Sequence, residues 1–211
     1  MTNADIISSL KDYLDESYPD VSIRIEPWRD DPSRSAIYFE DPKFAVLYPM
    51  QRYHYLIHSI PQDFYQRHLS EAVWVELAPG ETVDDLRYPD EELMESIAPD
   101  VIRALEGSGF FAGLDDLMSP LDGSAKIEVC HGDLRHAKRV LEEKGFGERD
   151  GVDEVFDICH VLMTKGGYCD CEVLYNVSEN NRLKAAYCKG RAESTEAEDG
   201  GGQPATRPES K

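Results

Sequence analysis

Two cysteines near the end of the chain, Cys169 and Cys171, have the type and spacing of metal-binding or redox-active thiols. Alternate residues of a β-strand point to the same face, so a strand through CDCEVLYNV would present both thiols together. Cys130 ends another predicted strand, KIEVC, and His136 follows it in a predicted helix. Three sulfurs and one imidazole suit tetrahedral zinc. The pattern therefore predicts a structural zinc site formed by Cys130, His136, Cys169 and Cys171, with His131 as the alternative fourth ligand.

The same spacing leaves two other interpretations open. Buried thiols that pack as small apolar residues give an identical sequence pattern. A pair of neighbouring thiols also suits disulfide exchange. Asp170 and Glu172 flank these thiols and would raise their pKa values, which disfavours the redox interpretation.

Residues 166–177 carry the most distinctive string of the chain, Gly-Gly-Tyr-Cys-Asp-Cys-Glu-Val-Leu-Tyr-Asn-Val. It resembles the signature Gly-Gly-x-Cys-Asp-Cys-Glu-Val-Leu-x-Asn-Val of a bacterial family known only as a domain of unknown function. Cys130, followed by Leu134 and Arg135, is similar to the beginning of the same family. The resemblance covers only the C-terminal module and brings no activity with it. It implies a compact α/β module in which the two cysteine clusters meet.

The preceding part of the chain has the patterns of an antiparallel sheet flanked by helices. Helical spacing of apolar residues predicts a first helix after Asn3, and PQDFYQRHL predicts another. A further helix over 93–105 contains Pro99, which would kink it or restart it, and Gly107-Ser108-Gly109 would end it. Strand composition is found in five segments: VSIRIEPW, SAIYFE, FAVLYP, RYHYLIHSI and AVWVELAPGE.

The overall prediction is an α+β protein in three parts. Residues 1–120 form an acidic α+β domain, and residues 121–189 form a small strand-helix-helix-strand module that contains the cysteines. A proline-, glycine- and serine-containing stretch at 118–124 separates the two. Residues 190–211 contain no aliphatic side chain larger than alanine, which predicts a disordered tail.

Net charge limits the classes of partner. The chain has 42 acidic and 22 basic residues and a formal charge of −20. Such a field repels phosphate backbones and anionic membranes, so neither nucleic acid nor membrane is an expected partner. The acidic, amphipathic start is unlike a signal peptide, and five cysteines do not pair into a disulfide framework. The cytoplasm is therefore the expected compartment.

No phosphate-binding loop, dinucleotide fingerprint, nucleophile elbow or His-Glu-x-x-His sequence occurs in the chain, so the common enzyme classes gain no support. The sequence identifies no catalytic and no cofactor-binding residue. The leading hypothesis is a non-catalytic partner-binding or regulatory protein whose acidic sheet contacts a protein with a basic surface. The alternative is a metal- or thiol-dependent enzyme that uses Cys130, Cys169 and Cys171.

Overall fold

The computed structural model of the chain describes residues 1–118, 131–149 and 152–179. Its architecture is α+β, with a three-stranded sheet near the N-terminus that is flanked by helices, as the sequence predicts. Within the described residues, no helix is both long and apolar enough to cross a bilayer.

Helices and strands are interspersed along the chain. The α-helices are α1 (Asn3–Leu14), α2 (Pro49–His58), α3 (Gln62–His68), α4 (Glu91–Ser108), α5 (Phe110–Met118), α6 (Arg135–Glu143), α7 (Glu154–Thr164) and the single turn α8 (Asp170–Glu172). The strands are β1 (Ser22–Pro27), β2 (Ser35–Glu40), β3 (Val73–Leu77), β4 (Glu148–Arg149) and β5 (Val152–Asp153). Two 3-10 helices (Pro42–Val46 and Val83–Asp85) and a π-helix (Val173–Val177) complete the described elements.

The sheet has the order β1-β2-β3 and is mixed, whereas the sequence predicts an antiparallel one. β1 and β2 pair antiparallel, with Ile25 opposite Ile37. β3 pairs parallel to β2, with Trp74 opposite Ile37. A parallel pair needs a long crossover, and the chain between β2 and β3 supplies one that contains α2 and α3.

Two segments predicted as strands form that crossover as helices instead. FAVLYP contributes to the 3-10 helix Pro42–Val46, because the Asp41 carboxylate accepts the Lys43 N–H at 2.8 Å and fixes the first turn. RYHYLIHSI lies largely in α2, which begins at Pro49 and whose first turn is closed by the Tyr48 N–H donating to the Gln51 side chain at 2.9 Å. Local capping therefore overrides the β propensity of these segments.

Apolar side chains cover both faces of the sheet. On one face, Ile37 and Phe39 pack in a cluster with Leu14 of α1, Leu56 of α2 and Phe64 of α3. The opposite face forms a smaller cluster, which includes Ala36, Tyr38, Val75 and Leu77 and is covered by Trp28, Val83 and Leu86. The sheet is thus an internal layer.

Helix α4 continues through Pro99 as one element, and Gly109, with φ of 74°, separates it from α5. The two helices predicted for the C-terminal module are present as α6 and α7, with the short β4–β5 hairpin before α7. The predicted closing strand at 169–177 is wrong, because this segment forms α8 and the π-helix. The predicted strand KIEVC at 126–130 lies outside the described residues.

The chain divides into two compact units by its internal contacts. Among the described residues, the first unit contains Met1–Ala98 and Phe156–Thr164, and the second contains those within Pro99–Val155 and those from Lys165 to Glu179. The predicted boundary near residue 120 lies mostly outside the described residues, as does the predicted tail at 190–211. The division into 1–120, 121–189 and 190–211 stays a prediction.

Candidate functional site

The Cys-Asp-Cys-Glu stretch in the second unit caps the beginning of α6. The Asp170 side chain is 3% exposed and accepts the backbone N–H groups of His136 at 3.1 Å and Ala137 at 2.8 Å. The Asp170 N–H itself donates to the Asp133 carbonyl oxygen at 3.0 Å. Burial raises the pKa of Asp170 to about 6, although the two backbone hydrogen bonds favour its ionised form. Asp170 therefore joins two segments that are 33 residues apart in the chain.

Asp133 and Arg135 form a second polar anchor in the same unit. The Asp133 carboxylate accepts the Arg135 Nε–H at 2.9 Å and an Nη2–H at 2.6 Å. Burial opposes ionisation of Asp133, but the hydrogen bonds from Arg135 outweigh it and lower the pKa of this carboxyl. Arg135 thus fixes the chain immediately before α6 through its contacts with Asp133.

The remaining polar residues of the glycine- and cysteine-rich string also hold backbone groups. Glu172 accepts the Tyr168 N–H at 3.0 Å, and the Asn176 side chain donates to the Gly166 carbonyl at 2.6 Å. Gly166 has φ of 84°, a left-handed conformation that favours glycine. These polar contacts therefore give Asp170, Glu172 and Asn176 structural roles in this unit.

The geometry assumed for the predicted zinc ligands differs from the observed one. Cys169 is 5% exposed and extended, whereas Cys171 lies inside the helical turn α8 and is half-buried. Cys169 and Cys171 would share one face only in a β-strand, and this geometry does not apply to a helical turn. His136 lies in the first turn of α6, with its ring centroid 6.1 Å from that of His131.

Across residues 1–118, 131–149 and 152–179, no group of three or more histidine, cysteine, aspartate or glutamate side chains is arranged to hold a metal ion. Cys130 lies outside these ranges, so the set Cys130, His136, Cys169 and Cys171 stays a prediction. Elemental analysis of protein that has been purified without a chelator decides it.

A buried polar cluster that the sequence did not indicate lies in the first unit. Arg52 of α2 is 4% exposed and donates through Nη1 to the Glu76 carbonyl oxygen at 2.7 Å. It also pairs with the Glu81 carboxylate at 2.5 and 3.2 Å and donates through Nε to the Leu47 carbonyl oxygen at 3.0 Å. The Leu77 carbonyl of β3 accepts from Asp41, toward β2, so the Glu76 carbonyl points to the open edge of the sheet. Arg52 therefore provides the hydrogen-bond donor for the Glu76 carbonyl group at this edge of the sheet.

The side chain of Glu76 belongs to the same cluster, which we call the Arg52 cluster (Arg52, Glu76 and Glu81). Glu76 is 2% exposed and lies opposite Phe39 on the face of β3 that also carries Trp74. Among the residues that the structure describes, its Oε1 has no hydrogen-bond partner. Burial raises the pKa of Glu76 to about 7, with the Arg52 charge as an opposing influence. One feature of the sequence could have indicated this cluster, namely the glutamate at an inward-facing position of the apolar strand VWVEL.

Two tyrosines surround this cluster. Burial, followed by an interaction with Tyr65, raises the pKa of Tyr53 to about 12. Burial, followed by the charge of Glu76, raises the pKa of Tyr88 to about 12 as well. Both phenols therefore stay neutral at physiological pH.

An exposed acidic segment follows the Arg52 cluster in the chain, and we define it as residues 84–95. Its exposed carboxylates are Asp84, Asp85, Asp90, Glu91, Glu92 and Glu95. Two large apolar side chains are exposed within it, Tyr88 at 56% and Leu93 at 47%. Its single cation, Arg87, lies 3.7 Å above the Phe156 ring, and Asp84 pairs with Arg29 at 2.8 Å. The sheet, by comparison, has Glu26 and Glu40 exposed but Glu76 buried.

Comparison with known proteins gives one match. Residues 117–176 match the family model described as Protein of unknown function (DUF2695). The chain matches no curated protein and no solved structure. The matched range contains α6, α7 and the capping contacts of Asp133 and Asp170. The C-terminal part of this protein is therefore similar to an uncharacterised family, in agreement with the resemblance expected from its sequence.

Proposed function

We propose that this protein is a non-catalytic binding protein and that its acidic segment (residues 84–95) receives a partner protein with a basic surface. The observation that carries the proposal is the combination of six exposed carboxylates with two exposed apolar side chains, Tyr88 and Leu93, in one short stretch.

The negative charge and the exposed apolar side chains of the segment contribute to partner binding in different ways. A net charge of −20 attracts a basic protein over a distance of about 10 Å at ordinary ionic strength, and therefore speeds association. Exposed carboxylates alone add little affinity, because water competes for them. Tyr88 and Leu93 supply apolar area that a partner can bury, and tyrosine is a frequent energetic centre of interfaces.

The alternative, an enzyme that uses Cys130, Cys169 and Cys171, is less well supported. The carboxylates beside the two described thiols already accept backbone N–H groups, with Asp170 capping α6 and Glu172 bonding to Tyr168. These contacts account for the acidic residues of the string by structure alone.

The test places a photo-crosslinking residue at Leu93 in the full chain and, as a control, at Tyr13 of α1, which is 38% exposed. Expressed in the source organism, the Leu93 variant should give a crosslink to a basic protein that the Tyr13 variant does not give. The affinity of that partner should then fall about tenfold or more when Glu91, Glu92 and Glu95 become glutamine, with a strong dependence on salt.

A matched variant separates the acidic segment from the general charge of the molecule. Replacing Asp12 and Asp15 by asparagine and Glu16 by glutamine removes the same number of exposed negative charges, in the last turn of α1 and immediately after it. Affinity should change less than about threefold in this control. Equal losses in both variants, or identical crosslinks at positions 93 and 13, would contradict docking on the acidic segment.

A further inference from the structure

We infer that the proton on Glu76 keeps the turn at 78–81 closed, and that this turn, which leads into the acidic segment, opens when Glu76 ionises. The opening follows from the Arg52 cluster alone. Its consequence, a pH-dependent presentation of Tyr88 and the acidic segment, rests on the proposed function.

The turn is held by Glu81. The Glu81 carboxylate accepts the Ala78 N–H at 2.8 Å, and the Glu81 N–H donates to the Ala78 carbonyl at 2.9 Å. Arg52 binds the same carboxylate with two of its N–H groups. The turn is therefore tied to α2 through one guanidinium.

The charges around Glu76 can be counted from the elements that surround it. Arg52 and Tyr53 of α2, and Tyr88 in the chain after β3, interact with Glu76 directly. Tyr65 of α3 interacts with Tyr53, and Glu81 pairs with Arg52. The Arg52 charge is already balanced by Glu81 at 2.5 Å. While Glu76 keeps its proton, the cluster is therefore neutral.

After Glu76 ionises, the Arg52 cluster contains two carboxylates and one guanidinium in a largely buried environment. A buried carboxylate without a cation is costly, so Glu76 draws Arg52 toward itself. Of the two competing acids, the Glu81 side chain is 21% exposed and can turn to water, whereas Glu76 is 2% exposed as a residue. Glu81 therefore leaves Arg52, and with it the turn loses the hydrogen bond to the Ala78 N–H.

The size of the effect follows from proton linkage. In the open state Arg52 pairs with Glu76 in place of Glu81, so the pKa of Glu76 falls back toward its ordinary value of 4.5, against about 7 in the closed state. The equilibrium between the two then shifts toward the open state about tenfold between pH 6 and pH 8. Amide exchange reports such local opening directly.

The experiment measures amide hydrogen exchange by mass spectrometry on the full chain at pH 6 and pH 8, corrected for the intrinsic pH dependence of exchange. We expect protection of the backbone amides at 78–88 to fall about tenfold at pH 8 in the natural protein and to be independent of pH in Glu76→Gln. Glu71→Gln, which removes an exposed carboxylate two residues before β3, is the matched control and should behave as the natural protein.

Unchanged protection between the two pH values, or a fall that persists in Glu76→Gln, overturns the inference. A second measurement needs no variant: the carboxyl ¹³C resonance of Glu76 should titrate with a midpoint near 7, and a midpoint near 4.5 overturns the inference as well. Neither measurement includes a partner, so its outcome is independent of whether the acidic segment binds one.

Discussion

At the scale of single residues, the protonation state of Glu76 affects the stability of the fold. Its side chain shares a face of the sheet with Phe39 and Trp74, a position that suits an apolar residue, and its carboxyl is buried with Oε1 unpaired within the described part of the chain. Glu76 ionises near pH 4.5 in the unfolded chain, whereas its pKa in the folded chain is about 7. The proton on Glu76 therefore favours the folded state at low pH. This contribution of Glu76 to the free energy of unfolding is lost as the pH rises through 7.

Replacing Glu76 by glutamine keeps the shape of the side chain and removes its charge. At pH 8 we expect Glu76→Gln to raise the free energy of unfolding by about 3 kcal/mol, because a buried carboxyl whose pKa is about 7 rather than 4.5 no longer opposes folding. At pH 5 the gain should be below about 1 kcal/mol. Urea unfolding at both pH values checks this, and an equal stability of the variant and the natural protein at pH 8 would refute it.

At the scale of elements, α6 depends on a cap that is distant in sequence. Asp170 binds the N–H groups of His136 and Ala137, two donors that a helix leaves without an internal partner. An acidic group at this end also interacts favourably with the helix dipole. The helical turn α8 that carries Asp170 and the helix α6 should therefore form together.

Replacing Asp170 by alanine should cost about 2 kcal/mol at neutral pH, since two N–H groups lose their acceptor, one of them on the buried Ala137. Urea unfolding measures the loss, and amide exchange at 136 and 137 should accelerate. Glu142→Ala, which removes an exposed acid from the same helix, is the control and should change stability by less than about 0.5 kcal/mol. A similar loss in both variants would argue against the cap.

At the scale of the whole molecule, the first compact unit contains a segment from far along the chain. Phe156 and His160 of α7 have ring centroids 5.6 and 4.9 Å from that of Tyr48, and Arg87 stacks on Phe156. Both α7 residues are buried. The first unit therefore includes residues that the predicted domain 1–120 lacks.

A fragment of residues 1–120 should consequently melt at a lower temperature than the full chain, by several degrees, because it loses the aromatic contacts of α7 with Tyr48 and Arg87. Circular dichroism melting of the fragment and of the full chain compares them. A fragment that melts within one degree of the full chain would show that 1–120 is an independent domain.

The sequence predicted well those elements whose signals are local. Helical spacing of apolar residues was sufficient for α1, α6 and α7, and a composition rich in β-branched and aromatic residues was sufficient for β1, β2 and β3. Residues 52–60 alternate between polar and apolar, which predicted a strand, yet they form most of α2, because Pro49 and Gln51 fix its first turn and Leu56 enters the core at helical spacing. A short apolar run fits either period, so its caps and its packing decide.

The sequence by itself determined the α+β class, the strong negative charge and the similarity of a C-terminal part to an uncharacterised family, because composition and short motifs are properties of neighbouring residues. Only the tertiary structure decided that β3 joins the sheet parallel to β2, that Asp170 caps α6, and that Arg52 serves both Glu76 and Glu81. The reason is physical: each of these contacts joins residues more than 20 positions apart, and the burial that shifts the pKa of Glu76 exists only once the elements have packed.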